Sequence, residues 1–476
     1  MKNSSFRILQ RITLFATSDI AIYTYIAVII FFVYSPSLFN SFISDDLGIV
    51  TNIQKTDVLF STVRFLRSLV YYGTYLMFGL NPVVFRLGNI VMHIGSAVVF
   101  YNIVSRLSTR TVALMASLWF GVHPVLVESV AWISGGVYVQ YGLLLLLSLY
   151  WYILSKTNKN YFFLSIVAYI LALLSSDKAV VFASIIFVYE LMFGDIRKSW
   201  RAVAVYVAFS LVSILFSFSL LTGRVTFLAN VSGGVARVDN PIIFFTSAIA
   251  IYLGLIFWPQ NLSLYHSDPV VTPVWLMSSM AITLLFLAVF VFCLRNNKLI
   301  SFWLFFFLLS LASVLSPYRI TWIVAERYVY LGTAAVIAAI VVFLDRILRR
   351  SVLNTMKIVI WGVVFISFSV LTMRRTLDWK NNDTFWLATV RASPDEPKAH
   401  NTLATVYVSH REYTKAISEL KTAIQMKPTY VPAYYNLGLV YEMTGDRAQA
   451  LQYYRKANEL LPNDADTMQA IQRLSQ

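Results

Sequence analysis

Two adjacent carboxylates, Asp45 and Asp46, stand in the stretch FISDDLGIV (residues 42–50), just after an apolar run that carries no charge from residue 20 to residue 38. A partly desolvated carboxylate keeps a raised pKa and can remove a proton from a hydroxyl group, while its neighbour holds the acceptor or a cation. The pair therefore predicts a general base at a membrane boundary. Position alone favours a plainer interpretation, in which both side chains simply face water.

Other ionisable residues interrupt apolar runs at the expected membrane edges. Such residues usually mark substrate or ion sites, and Lys and Arg there can bind a phosphate group. Simpler interpretations exist, because Glu326 and Arg327 can neutralise each other, and Trp119 and Trp132 are typical interface anchors. The candidate residues are His123, Glu128, Lys178, His266, Glu326 and Arg327.

The amino-acid composition indicates whether these residues belong to a soluble or a membrane protein. Of 476 residues, 58% are hydrophobic and only 13% are charged, against about 25% charged in soluble domains. The chain is therefore an integral membrane protein. Its net charge of +15 comes mostly from short loops between apolar runs, as the positive-inside bias predicts, so we expect no nucleic-acid partner. With Cys293 as the single cysteine, an intramolecular disulfide is excluded.

The elements that must position the candidates are membrane helices of about 20 apolar residues each. We expect an all-α bundle of about 11–12 transmembrane helices, with the acid pair, His123 and the C-terminal tail on the outer side. Residues 56–80, which carry Arg64 and Arg67 among aromatics, are typical of a helix lying in the interface, although an ordinary loop fits equally well. The twelve apolar runs lie near residues 20–38, 83–105, 111–130, 137–155, 161–176, 179–194, 202–221, 241–258, 274–294, 299–316, 327–344 and 355–373.

The tail has a different period. Pro394, Pro428 and Pro462 are spaced by 34 residues, and small and large apolar residues repeat with them. This is the tetratricopeptide pattern, in which small residues let two antiparallel helices touch. We expect an α-solenoid with a half-repeat around Trp386, two full repeats and a capping helix over 464–476, which binds peptides or proteins. The predicted domains are therefore residues 1–375 and 376–476.

The order of several motifs resembles a known family. After the acid pair come FLRSLVYYGTYLMFGLNPVVFRLGN, HPVLVESVAWISGG, LALLSSDKAVVF, DNP, AERYVYL and the tandem repeats. This arrangement is similar to the transmembrane-and-tetratricopeptide-repeat O-mannosyltransferases of the GT-C glycosyltransferase superfamily. The likeness covers nearly the whole chain and depends on the order of the motifs, not on any single one.

The resemblance implies a chemistry. A sugar, mannose or another hexose, would move with inversion from a polyprenyl-phosphate carrier to a hydroxyl acceptor on the outer membrane face. Asp45 or Asp46 would be the base, with Asp45 favoured as the first of the pair. A divalent metal is possible in related enzymes, although no ligand set is evident here. Carrier-phosphate binding is expected of Arg64, Arg67, Lys178, His266 and Arg327, with His123, Glu128 and Glu326 in support.

Two departures from the family pattern affect these assignments. The family's SKE turn reads SSDK here, which displaces Lys178, and its HPVHTE motif reads HPVLVES, which keeps His123, Pro124 and Glu128 but loses a second histidine. We expect a bacterial inner-membrane protein with extracytoplasmic repeats and a protein or glycan acceptor. One alternative is an O-antigen ligase or polymerase, which relies on a large outer loop, here only residues 222–240. The other is a non-catalytic scaffold.

Overall fold

The computed structural model describes residues 18–52, 65–232, 240–260, 272–312, 324–348 and 351–476, together with positions 262–264, 266 and 315. Over these residues the regular structure is helical throughout, so the all-α prediction is confirmed. Two compact units are present: residues 1–260 with 270–379, and residues 380–476 with the short segment 261–269. The predicted domain boundary at residue 375 falls within the last helix of the first unit.

The first unit is built from fifteen described α-helices joined by short 3₁₀ turns. Helices occupy all twelve of the predicted apolar runs. The loop predicted over 222–240 is wrong for its first part, because a helix continues to Ser232. The helices are α1 (Asp19–Tyr34), α2 (Asp46–Asn52), α3 (Phe65–Phe78), α4 (Pro82–Leu107), α5 (Arg110–Gly121), α6 (Val127–Ala131), α7 (Gly136–Ser155), α8 (Asn160–Ser175), α9 (Phe182–Phe193), α10 (Ile196–Ser232), α11 (Pro241–Phe257), α12 (Pro273–Asn296), α13 (Lys298–Ala312), α14 (Tyr330–Ile347) and α15 (Ser351–Asp378).

Several of the membrane helices begin at a polar residue followed by proline. The Asn81 side chain accepts a hydrogen bond from the Val83 N–H, and Asn240 and Thr272 cap α11 and α12 in the same way. A capping side chain satisfies a backbone donor that the first turn leaves unpaired. Proline at the next position has no N–H to satisfy and is already set to the helical φ. These dipeptides therefore determine where each helix begins.

Seven helical segments in the described residues are long and apolar enough to cross a membrane. Three shorter apolar helices, α8, most of α11 (residues 242–257) and α13, accompany them. The chain is thus an integral membrane protein, while the exact number of crossings stays a prediction. The seven segments are Asp19–Phe39, Pro82–Leu107, Gly136–Ser155, Ile196–Ser217, Pro273–Asn296, Glu326–Ile347 and Thr355–Asp378.

An eighth apolar segment is broken. Helix α5 and the stretch Pro124–Ala131, which contains α6, meet at an angle of 51°. Pro124 cannot continue the hydrogen-bond ladder and disfavours a helical conformation at the residue before it, and His123 is accordingly extended. The break turns the chain so that residues 128–135 lie beside the N-terminal part of α4.

The second unit is a row of helix pairs. A helix over Asn382–Ala392 (α16) is followed by α17 (Pro397–Ser409) and α18 (Tyr413–Met426), by α19 (Val431–Met443) and α20 (Arg447–Leu460), and by the terminal α21 (Ala465–Ser475). This order matches the predicted half-repeat, two repeats and capping helix. Its core is formed by small and aliphatic residues, among them Ala404, Ala416, Leu420, Ala423, Ala433 and Leu437.

Candidate functional site

Asp46 is anchored within the protein. It is 0% exposed, and its Oδ1 atom accepts hydrogen bonds from the backbone N–H (2.9 Å) and the hydroxyl (2.7 Å) of Ser134. Its Oδ2 atom accepts a third, from the Ile43 N–H at 3.3 Å. Burial raises the pKa of Asp46 to about 6, although these hydrogen bonds and the Arg86 charge act to lower it. The carboxylate therefore joins the first loop to the turn after α6.

Asp45 faces the other way. It is exposed, and its carbonyl accepts the Ile49 N–H at 2.9 Å as α2 begins. The preceding Ser44 has φ 53°, in the left-handed region that non-glycine residues adopt in only a few per cent of cases. The tight reversal at Ser44 thus separates two adjacent carboxylates, one exposed and one buried.

Arg86 holds the acid loop against α6. It is fully buried in the first turns of α4, and its guanidinium donates hydrogen bonds to the carbonyls of Asn40, Ser41 and Ala131, the last at 2.9 Å. One planar cation with several fixed donors can serve three carbonyls at once. The backbone on both sides of the candidate site is therefore fastened to one side chain.

The turn that carries Ser134 is held from two further directions. The Asn89 amide donates to the carbonyls of Val130 (3.3 Å) and Trp132 (3.2 Å), and the Tyr71 hydroxyl donates to the Ile133 carbonyl. A Cβ atom at Gly136 would collide with the Asn89 amide. Glycine is therefore required at position 136 of the SGG stretch, because the Asn89 side chain of α4 lies so close to its backbone.

A helix covers part of the segment predicted to lie in the membrane interface, and its interfacial position stays a prediction. Residues 65–78 form α3, while residues 56–64, and with them Arg64, lie outside the described residues. Arg67 is 9% exposed, and its guanidinium carbon lies 5.7 Å from the centre of the Tyr71 ring. Because Tyr71 also bonds the carbonyl next to Ser134, the structure brings Arg67 into the neighbourhood of the acid pair.

Glu128 and Arg327 form a buried ion pair. The Arg327 guanidinium donates to Glu128 Oε1, and the Arg327 backbone N–H donates to Oε2 at 2.9 Å. The guanidinium also lies over the rings of Trp132 (5.6 Å) and Tyr328 (5.0 Å). Trp132 is two residues from Ser134. The Arg327 guanidinium and the acid loop therefore contact the same turn after α6.

Glu326 has a different partner from the one that the sequence suggested. The Arg375 guanidinium, near the end of α15, lies 3.5 Å from Glu326 Oε1 and 3.1 Å from Asp378 Oδ2. The simpler interpretation, in which Glu326 and Arg327 neutralise each other, is therefore not supported by these contacts. Each of the two neighbours is paired with a residue far away in the sequence, which fixes the 3₁₀ turn over Glu326–Val329 against two other helices.

His123 has a structural environment. Its Nδ1 atom accepts from the Val125 N–H (3.2 Å) and its Nε2–H donates to the Ile256 carbonyl (3.0 Å). These partners fix a neutral ring with the proton on Nε2, because an N–H can only donate and a carbonyl can only accept. The ring also packs edge-on against Phe368, with centroids 4.5 Å apart. His123 thus supports the bend after α5.

The two remaining predicted residues lie in different parts of the molecule. Lys178 is half-buried in a 3₁₀ turn, with its Nζ atom 4.9 Å from the centre of the Tyr328 ring, so it neighbours the Arg327 turn. His266 is half-buried and belongs to the short segment of the second compact unit. Its predicted role therefore stays a prediction.

Some residues of the site were missed by reasoning from the sequence, namely Arg86, Asn89, Ser134 and Arg375. A buried arginine within an apolar run is the one available signal, and Arg86 carries it. As for a metal, no group of three or more His, Cys, Asp or Glu side chains comes together in the part of the chain that the structure describes. The possible divalent metal stays a prediction, and no step is derived through it.

Comparisons with known proteins agree with this architecture. Residues 404–445 match the family described as TPR repeat, and residues 431–464 match the tetratricopeptide repeat. The C-terminal helices are therefore tetratricopeptide repeats, as predicted. The crystal structure of MamA is 21% identical over 28% of this chain and 72% of its own, with a TM-score of 0.19.

Relatives of most of the chain are also found. It is 20% identical over 446 residues to Protein O-mannosyl-transferase TMTC3 of Mus musculus, covering 84% of this chain and 48% of the relative. It is 22% identical over 516 residues to Protein O-mannosyl-transferase Tmtc3 of Drosophila melanogaster, covering 89% and 54%. The chain thus spans about half the length of the curated relatives it matches. The predicted resemblance to these transferases is confirmed.

Proposed function

We propose that the chain is a membrane glycosyltransferase of the GT-C type, which transfers mannose or another hexose from a polyprenyl-phosphate carrier to a hydroxyl group, with protein Ser or Thr as the acceptor. The observation that carries the proposal is the different environment of the two carboxylates in the acid pair. Asp46 is bound on both oxygens, whereas Asp45, one residue away, is exposed at the same anchored loop. Similarity to named O-mannosyl-transferases supports the reaction class.

Asp45 is the proposed base and Asp46 a positioning residue. A general base must reach the proton that it removes, and Asp45 is open to an incoming acceptor. Its neighbour holds the loop to Ser134 and thereby limits the positions that the Asp45 carboxylate can adopt. Small errors in such a position reduce rates strongly, so both residues affect the rate, but through different physical effects.

The leaving group needs cations more than it needs an acid. A polyprenyl phosphate departs as a stable anion, and fixed positive groups stabilise the charge that develops on it. Arg67 and Arg327 both contact residues of the turn that anchors Asp46, through Tyr71 and Trp132. Lys178 contacts Tyr328, beside Arg327. These three are the proposed phosphate-binding residues, and Arg64 and His266 are further candidates.

The proposed step is a single displacement. The acceptor oxygen forms a bond to the anomeric carbon as Asp45 takes the hydroxyl proton. The bond from that carbon to the phosphate oxygen breaks, and its electron pair leaves with the polyprenyl phosphate. Because attack comes from the side opposite the leaving group, the anomeric configuration is inverted.

The cell compartment and the role of the repeats complete the proposal. Basic loops on the other side of the bundle indicate that the acid pair and the repeats are extracytoplasmic, and short loops favour a bacterial inner membrane. The repeats would then bind peptide segments of protein acceptors, since stacked helical repeats offer extended binding surfaces.

The test measures transfer from radiolabelled polyprenyl-phosphate mannose to protein in membranes that carry the full chain. Asp45→Asn is compared with Asp46→Asn and with Asp19→Asn, which removes an exposed carboxylate at the opposite end of α1. We expect Asp45→Asn to lower transfer by about 10²–10⁴-fold at an unchanged melting temperature. Asp46→Asn should lower both quantities, and Asp19→Asn neither.

Each other outcome is informative. Normal transfer in Asp45→Asn with lost transfer in a well-folded Asp46→Asn would make the buried carboxylate the base. Equal transfer in all variants would remove the pair from catalysis and favour a ligase-type reaction. No transfer by the wild type from any of several sugar carriers would favour a scaffold.

A further inference from the structure

A large apolar cavity lies between four helices of the first unit, away from the acid loop. Its volume is about 860 Å³, and it is bounded by α11, α12, α13 and the second half of α14. Small residues create the space, since Ala250, Gly254 and Ala339 line it and a Cβ atom at Gly254 would meet nothing within 4 Å. Large exposed side chains such as Phe257 and Phe343 form its rim, so the cavity opens toward the membrane.

Polar groups occur at one end of this cavity. Arg346, near the C-terminus of α14, lines it together with Asn296 and Asn297, where α12 ends and α13 begins. The adjacent Asp345 carboxylate is bonded to Lys357 at 3.0 Å, so the charge of that acid is already balanced. Arg346 is exposed and, among the described residues, forms no ion pair.

The charged end lies at the membrane face opposite the candidate catalytic site. Arg327 and Arg346 stand at the two ends of one membrane segment, Glu326–Ile347. With a rise of 1.5 Å per residue they are separated by about 28 Å, close to the thickness of a bilayer core. The charged end of the cavity therefore lies toward the leaflet that does not hold the proposed sugar donor.

We infer that this cavity binds an anionic glycerophospholipid of that opposite leaflet, with its acyl chains between α11, α12 and α14 and its phosphate at Arg346. The observation that selects this occupant is charge complementarity, because a mostly apolar cavity with Arg346 and two asparagines at one end matches a molecule with apolar chains and an anionic head. Basic pockets between transmembrane helices are known to bind anionic lipid headgroups. A partner helix is disfavoured, since it would have to bury Arg346 without a balancing charge. The inference does not depend on the transferase activity.

The experiment uses the full chain, reconstituted in nanodiscs of phosphatidylcholine with a minor share of phosphatidylglycerol, then purified in a mild detergent. Retained lipid is extracted and quantified by mass spectrometry. Gly254→Leu places a branched side chain in the cavity, at a position where an added Cβ meets nothing within 4 Å, and Gly362→Leu, at an equally open glycine of α15 outside the cavity, is its matched control. Arg346→Gln removes the charge, and Arg106→Gln removes an exposed arginine of α4 as its control.

We expect retained phosphatidylglycerol to fall by about fivefold in Arg346→Gln, and to be lost in Gly254→Leu, while both controls match the wild type. Thermal unfolding of all four variants shows whether each one is folded. If one variant does not fold, the comparison of the other variant with its control still tests the inference. Equal retention in every folded variant would overturn the inference. So would wild-type protein that retains only phosphatidylcholine, or that replaces the phospholipid with added polyprenyl phosphate.

Discussion

The acid loop and the tetratricopeptide repeats use polar side chains in opposite ways. In the loop region, Arg86 bonds carbonyls more than forty positions away, and Asp46 bonds Ser134, 88 positions away. In the repeats the polar bonds recur with the period. The His400 ring donates to the Pro394 carbonyl (2.8 Å), and 34 residues later the Tyr434 hydroxyl donates to the Pro428 carbonyl (3.1 Å).

The two regions differ in what their contacts determine. In the loop they set the positions of single residues, and in the repeats they set the stacking of helices. The repeats need only a regular stack, in which each helix contacts its neighbours in sequence, so one short pattern is enough. The acid loop, by contrast, is fastened by buried, multiply bonded charges, which under the proposed function would hold a reacting carboxylate in place. Buried charges are costly to leave unpaired, which makes the loop region far more sensitive to substitution than the repeats.

The largest expected effect is at Arg86. Arg86→Met leaves three carbonyls without a donor and removes the cation that faces Asp46. We expect the free energy of unfolding to fall by about 3–5 kcal/mol, measured by denaturant unfolding in detergent micelles. Arg106→Met, in the same helix but exposed, is the control and should change it by less than about 0.5 kcal/mol. Equal losses in the two variants would contradict the account.

The next effect is a pH dependence at Asp46. Its folded pKa of about 6 lies above the ordinary value of 3.8, so its contribution to stability is fully present below the unfolded pKa and is lost as the pH rises through 6. Asp46→Asn cannot ionise. The stability deficit of the variant relative to the wild type should therefore shrink between pH 4 and pH 7.5, by up to about 2–3 kcal/mol. A difference between the two proteins that is constant with pH would refute the raised pKa.

A packing exchange tests the repeats. Gly438 lies against the Tyr454 ring, and an added Cβ would come within 2.8 Å of it. The equivalent positions of the first repeat hold Ala404 and Leu420. We expect Gly438→Ala to cost about 1–3 kcal/mol, and Gly438→Ala combined with Tyr454→Leu to recover most of it by recreating the first repeat's pair. If the double variant is no better than Gly438→Ala alone, the ring contact is not the cause.

The smallest effect is expected for an arginine of the repeats. Arg473 of α21 bonds both oxygens of Glu442, at 3.0 and 2.8 Å, but its side chain is 56% exposed. An exposed ion pair contributes little to stability, because water screens it. Arg473→Gln should therefore lower the melting temperature only slightly, and less in high salt, where the pair is already screened. A loss as large as that of Arg86→Met would remove the contrast between the two regions.

What the sequence could predict follows the same division. The membrane helices, the 34-residue period and the capping helix depend on local composition and spacing, and the structure contains them. The acid pair and the Glu128 and Arg327 motifs were identified as candidates, yet their partners were not. One open interpretation paired Glu326 with Arg327, whereas the structure pairs Glu326 with Arg375, 49 positions away. No local sequence pattern predicts a contact between residues so far apart, because that contact depends on which helices pack together.

The carbonyl acceptors were beyond prediction for a related reason. Arg86 and Asn89 bind backbone carbonyls, and every residue has a carbonyl. The residue types at positions 40, 41, 130, 131 and 132 therefore do not indicate the contact. The bend at His123 was only half predictable. Pro124 indicated the end of a helix, but the hydrogen bond from His123 to the Ile256 carbonyl depends on where α11 lies.

The placement of Asp45 beside Asp46 has an evolutionary consequence. Under the proposed function, chemistry is confined to one exposed carboxylate and architecture to its buried neighbour, so selection can act on them separately. A lineage that lost Asp45 would then keep the membrane fold and the repeats, and would become a pseudoenzyme through a single codon change. Loss of Asp46 offers no such path, because the loop that would be inherited is no longer held.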